Sequence, residues 1–162
     1  MAVAFLSESY FEKHERDDIA MEVFLLFDTV DGPTDFYFAG DNGFVFYALG
    51  WGKEHQKRHP GSRMLCVASD HEKPTMMKLN RLVFDEVICL DASSSGTEGL
   101  SAREKYVIDQ CDTVIIYRYG GVDDYESARY AKKKDKRVTD YYTERKELFP
   151  LLKLIHRIYF DE

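Results

Sequence analysis

"CDTVIIYRYGGVDDYESARYAKKKDKRV", residues 111–138, reads as strand, glycine turn, helix and next strand. Residues 113–119 form an almost continuous apolar run, the pattern of a strand covered on both faces rather than on one. Gly120 and Gly121 open the turn, and Tyr130-Ala131 sits in the helix that follows. Strands that alternate with helices in this way imply right-handed crossovers and a parallel sheet. The turn also carries Asp123, Asp124, Tyr125 and Glu126, more polar chemistry than a connection needs.

The same alternation extends outward. Strands are expected at residues 3–7, 35–39, 63–68, 86–91, 113–119 and 137–141. Ile19, Val23, Phe27 and Val30 repeat at helical spacing until Asp31-Gly32-Pro33 stops them. Further helices are expected at 44–58 and at 75–84, the second with Met76, Leu79, Asn80 and Val83 on one side. Ser101 and Glu104 have capping-box spacing and open a helix ending near Asp109. A last helix is expected at about 143–160, with Pro150 at a start or a kink. The fold class is therefore a Rossmann-like α/β domain of three αβα layers. Its sheet is mostly parallel and doubly wound, of about six strands, and residues 1–162 form a single domain.

Composition narrows the function. The 162 residues are 44% hydrophobic and 31% charged, ordinary for a globular protein, while the aromatic share of 14% implies a ring-rich core. A net charge of −7 argues against nucleic-acid or anionic-membrane binding, since phosphate contacts need clustered Lys and Arg. The basic runs 53–58 and 132–136 read as solvated helix faces. Cys66, Cys89 and Cys111 lie in or beside apolar runs with no disulfide or zinc spacing. They read as buried free thiols of a cytoplasmic protein. The N-terminus lacks the basic region and cleavage site of a signal peptide, and no apolar stretch approaches the ~20 residues of a membrane span. His55 and His59 have the spacing of metal ligands on a helix, but "KEHQKRH" reads as its polar, solvated end, so no metal site is expected.

In a doubly wound sheet, ligands bind beyond the carboxyl ends of the strands. Segments 7–10, 40–43, 69–73, 91–101 and 119–125 fall on that edge. Gly40, Asp41, Asn42 and Gly43 lead from a strand into a helix, either as a phosphate-binding turn or as a capped tight turn. The loop "DASSSGTEGLS" offers Ser94 and Ser95 to a ribose or phosphate, or is generic loop composition. Arg103 can grip a phosphate with its planar fork or pair with Glu104 or Asp109. Glu126 suits a helix N-terminus on dipole grounds alone, and a carboxylate there can also serve a ribose or an oxocarbenium ion.

The run "SAREKYVIDQCDTVIIYRYGG…ARYAKKKDKRV" resembles the YpsA-like branch of the SLOG superfamily, relatives of DprA and of the LOG phosphoribohydrolases. Arg103, the segment 107–112, Gly120-Gly121 and Tyr130-Ala131 fall in the family's order, and "FAGDNGFVFYALG" is similar to its first glycine turn through Gly40 and Gly43. Where the family has a GHR triplet, an Arg-Asn pair and a GGT turn, this chain has Ser7-Glu8-Ser9, Arg103-Glu104 and Gly120-Gly121-Val122. The resemblance implies a pocket for a nucleotide or nucleotide-derived ligand, often in a sensor. Its walls would be Ser7, Gly40, Asp41, Asn42, Gly43, Ser94, Ser95, Arg103, Gly120, Gly121 and Tyr125. Nucleoside 2-deoxyribosyltransferases share an Asp-led apolar strand, a glycine turn and a Glu-bearing helix, which implies Glu126 as a catalytic carboxylate at an N-glycosidic bond. A degenerate domain serving as a protein-interaction module, with exposed aromatics, is a third expectation. The small-molecule ligand is the expected partner, and a homo-oligomer is left open.

Overall fold

The structure, a computed structural model, describes residues 1–7, 30–39, 43–69, 74–91, 96, 100–117, 122, 124–140 and 158. Six strands form one sheet: β1 (Ala2–Ser7), β2 (Asp35–Ala39), β3 (Arg63–Ser69), β4 (Glu86–Leu90), β5 (Thr113–Tyr117) and β6 (Arg137–Asp140). Their order is β4-β3-β2-β1-β5-β6, and every neighbouring pair is parallel. Helix α1 (Gly43–Arg58) joins β2 to β3, and α2 (Pro74–Val83) joins β3 to β4. Helix α3 (Ala102–Gln110) joins β4 to β5, and α4 (Glu126–Lys133) joins β5 to β6. This is the Rossmann-like, doubly wound α/β architecture expected from the alternation. The helices expected before residue 30 and at 143–160 lie outside the described residues, apart from Ile158.

The alternation of side chains along each strand builds two cores. Val3, Phe5, Phe36, Phe38, Met64 and Ile115 pack on one face with Ala48 and Leu49 of α1 and with Val83 and Phe84. Ala4, Leu6, Ala39, Val67, Val114 and Ile116 pack on the other with Val107 and Ile108 of α3 and with Ala128 and Ala131 of α4. The chain runs outward from β1 to β4, then crosses back over the sheet to β5, so its later helices cover the opposite face. Rings dominate the first core. Phe5 stacks on Phe38 at 5.4 Å and meets Phe36 at 6.0 Å, and Phe38 meets Phe84 at 5.5 Å.

Polar groups at the amino edge satisfy one another. Thr34 N donates to Ser62 Oγ at 3.0 Å, and Arg63 N donates to Thr34 O at 3.1 Å. Asp85 Oδ2 accepts from Met64 N at 2.7 Å and from Gln56 Nε2 at 2.9 Å. Arg63 grips Asp35 with two hydrogen bonds, at 3.0 and 2.7 Å, which holds its guanidinium well above the ordinary arginine range. On the far side of β1, Asp112 exchanges two bonds with Ala2, accepting its N–H at 3.1 Å and donating its own to Ala2 O at 3.0 Å.

Three sequence readings change. His55 is fully buried rather than solvated, because α1 presses its last turns onto Phe36 and the turn before β2. Ala48, Trp51 and His55 continue one helical stripe, and Ala48 and Trp51 belong to the first core. Leu79 lies outside the core, 45% exposed, because α2 rides at the sheet edge and buries only a narrow strip led by Val83. Cys66 and Cys111 are buried but Cys89 is exposed, since β4 is an edge strand. The Cys111 thiol is pushed well up by burial and then by Asp112, so it is a protonated core group rather than a nucleophile.

Phe5, fully buried and in contact with two other rings, is the residue on which the first core centres. Phe5→Ala should cost about 3–5 kcal/mol in urea unfolding. Leu82→Ala, at a side chain that is 76% exposed, should change stability by less than about 0.5 kcal/mol. Similar losses from both would refute this division between core and surface.

Candidate functional site

Two features converge at the carboxyl edge of the sheet. The first is the reversal of strand order. After β4 the chain passes β3, β2 and β1 before adding β5, and α3 makes that crossing packed over β1, β2 and β3. β1 and β5 thus flank the point where the strand order reverses, the position at which doubly wound sheets bind ligands beyond the carboxyl ends of their strands. The two strands finish level, with Ser7 opposite Tyr117. The second feature follows from the parallel topology. Each described helix returns antiparallel to the strand before it, so α1, α2, α3 and α4 all begin on this edge. Helix starts present a positive dipole end, which suits an anion.

The starts of α3 and α4 are held together. Ser101 caps α3, its Oγ accepting from Glu104 N at 3.2 Å, as its spacing predicts. The Glu104 carboxylate reaches across to α4, where its Oε2 accepts from Ser127 Oγ at 2.6 Å, and Ser127 is fully buried. Towards the other end of the pair, Tyr130 donates to Asp109 Oδ1 at 2.7 Å. Burial and then this bond push the Tyr130 hydroxyl up to about 12, so it remains a donor at neutral pH. Ala128 and Ala131 are fully buried in the second core and let the helices approach closely. Gly96 adds a further constraint, because a Cβ there would collide with Leu100 O and lie 2.7 Å from Ala102 N. The backbone of Gly96 thus lies against that helix start.

The expected site residues divide as follows. Ser7 ends β1 beside β5, and Gly43 is the first residue of α1. Arg103 is the second residue of α3 and is half-buried. Tyr125 is the N-cap of α4, and its side chain is buried in the core cluster that includes Leu100 and Val122. Glu126 opens α4, with Oε2 3.5 Å from Arg129 Nη1 on the same helix. Gly40, Asp41, Asn42, Ser94, Ser95, Gly120 and Gly121 lie outside the described residues. The first three span the connection between Ala39 and Gly43, both on the carboxyl edge.

The Glu104–Ser127 bond is the feature that sequence reasoning missed. The spacing of Glu104 to Ser101 points only to a local capping box, and nothing in "YESARYA" marks Ser127 as a partner 23 positions away. The clue available was a hydroxyl beside alanine on the inward side of a short helix.

Among the described residues no helix is long and apolar enough to cross a membrane. The chain is matched by no family model and by no curated protein.

Ser127→Ala removes the donor from a half-buried carboxylate and should cost about 1–2 kcal/mol in urea unfolding. Tyr130→Phe, at the more exposed end of the same helix pair, should cost about 1 kcal/mol. A Ser127→Ala protein as stable as the parent would show that the bond does not hold α3 to α4.

Proposed function

We propose that this chain binds a nucleotide-derived, anionic small molecule beyond the carboxyl ends of β1 and β5. The observation that carries the reading is the reversal of strand order between those two strands, with Ser7 and Tyr117 ending level. Anion preference rests on the helix starts that share this edge. Chemistry suited to a ribose and phosphates is supplied by the sequence of the connections: Gly40-Asp41-Asn42 after β2, Ser94-Ser95 after β4 and Gly120-Gly121 after β5. The resemblance to the SLOG superfamily points the same way, towards a sensor-like binding protein.

The contrast between the two edges supports the assignment. Amino-edge polar groups are consumed in bonds among Thr34, Ser62, Gln56, Arg63 and Asp85. In this reading Arg103, in the first turn of α3, supplies a guanidinium to the anion. Ser7 and Gly43 line the floor, where a small residue or none lets the ligand approach the backbone. Tyr125 acts from beneath, as a buried ring that fixes where α4 begins.

Calorimetry with NAD, ADP-ribose and cyclic nucleotides tests the reading. At least one should bind, and Arg103→Ala should weaken that binding about tenfold or more, the scale of one charge-assisted hydrogen bond. No heat from any member, or binding indifferent to Arg103→Ala and to added salt, would contradict it.

A further inference from the structure

We propose that His55 is a pH-sensitive latch, holding the C-terminal end of α1 against the turn before β2 only while its ring is neutral. The side chain is fully buried. Its Nε2 lies 2.9 Å from Gly32 O, and because a carbonyl only accepts, Nε2 carries the proton. The other ring nitrogen, Nδ1, is buried with no hydrogen-bond partner, and among the described residues it is the one buried side-chain polar atom so placed. A neutral ring leaves only an uncharged acceptor idle at Nδ1, at the modest cost of one unsatisfied buried polar atom. A protonated ring does not, because Nδ1–H would then be a buried charged donor with nothing to receive it.

The surroundings offer that charge little relief. Phe36 of β2 meets the ring edge-to-face at 5.2 Å and 88°. His59, one turn along α1, lies 4.5 Å away ring to ring, and Arg58 is on the same turn, so α1 itself presents two groups that repel a cation. Among the described residues Asp31, in the turn, is the facing acid, but it is fully exposed and lies 3.8 Å from His59 Nε2. Asp35, at the start of β2, is held by Arg63 of β3. Burial first, then His59 and Arg58, lower the His55 pKa below its ordinary 6.5, against the opposing pull of the Gly32 bond and Asp31.

The direction of the effect follows. Above about pH 6.5 the ring is neutral folded and unfolded, and the latch contributes fully. As pH falls below that value the unfolded chain takes up a proton that the folded ring refuses, so stability is lost until the lowered folded pKa is reached. The turn that His55 holds also contains Thr34, whose N–H and carbonyl bond Ser62 and Arg63, so protonation frees the amino-edge end of α1 before it frees the sheet.

Three measurements on the intact chain test this. By NMR, the His55 ring should titrate below 6.5, and a midpoint at or above that value overturns the proposal even if no variant folds. In urea unfolding from about pH 8 to about pH 5, the folded-to-unfolded ratio should fall by up to about tenfold per pH unit below 6.5 beyond the fall seen in His55→Gln, which can keep the donor without the titration. Parallel profiles for the two proteins overturn it. In hydrogen exchange corrected for intrinsic rates, amides of Thr34 and Arg63 should lose protection on acidification before those of Phe5 and Leu6. A uniform loss means global unfolding and refutes the latch.

Discussion

The structure depends on the burial of one strand on all sides. β1 is hydrogen-bonded along both edges, to β2 and to β5, and Val3, Ala4, Phe5 and Leu6 are all buried. Four consecutive apolar residues, two to each face, require a layer of helices above and another below. That requirement is met only if the chain winds outward on one side, then returns and winds the other way. The reversal of strand order beside β1 is a consequence of covering that strand. Position of the candidate site and stability of the fold therefore have the same origin.

The two ends of the sheet have different chemistry. At the amino edge short connections bring strand starts, helix ends and the turn before β2 within hydrogen-bonding distance, and their polar groups pair with one another. At the carboxyl edge all four described helices begin, with N–H groups that their own helices leave unpaired. Capping at Ser101 answers part of this for α3, and the Glu104–Ser127 bond fixes its distance from α4.

The framework was legible in the sequence because it rests on local pattern. β2 begins and ends where the strand expected at 35–39 does, and Ser101 caps α3 as its spacing to Glu104 requires. Hydrophobic periodicity also located α1 and α2 to within a residue at each end. What was not legible depends on partners distant in sequence. "KEHQKRH" looks like a polar helix end, and only the fold brings Gly32 and Phe36 onto His55. Leu79 matches a helical stripe, but α2 sits too near the sheet edge for the stripe to be covered. At the candidate site, Ser7 and Arg103 fall in the strand and helix expected of them, while Gly43, expected in the turn, is the first residue of α1. Tyr125 and Glu126 lie at the start of α4, as expected, the first with a buried ring and the second beside Arg129.

Amide NMR mapping during titration with ADP-ribose and the related nucleotides bears most directly on the central claim, that the carboxyl edge at β1 and β5 is a binding site. The account predicts saturable shifts concentrated at Ser7, Gly43, Arg103 and Tyr117, with Asp35, Arg63 and Asp112 at the opposite edge unmoved. Shifts clustered at that opposite edge, or none with any of the ligands, would contradict it.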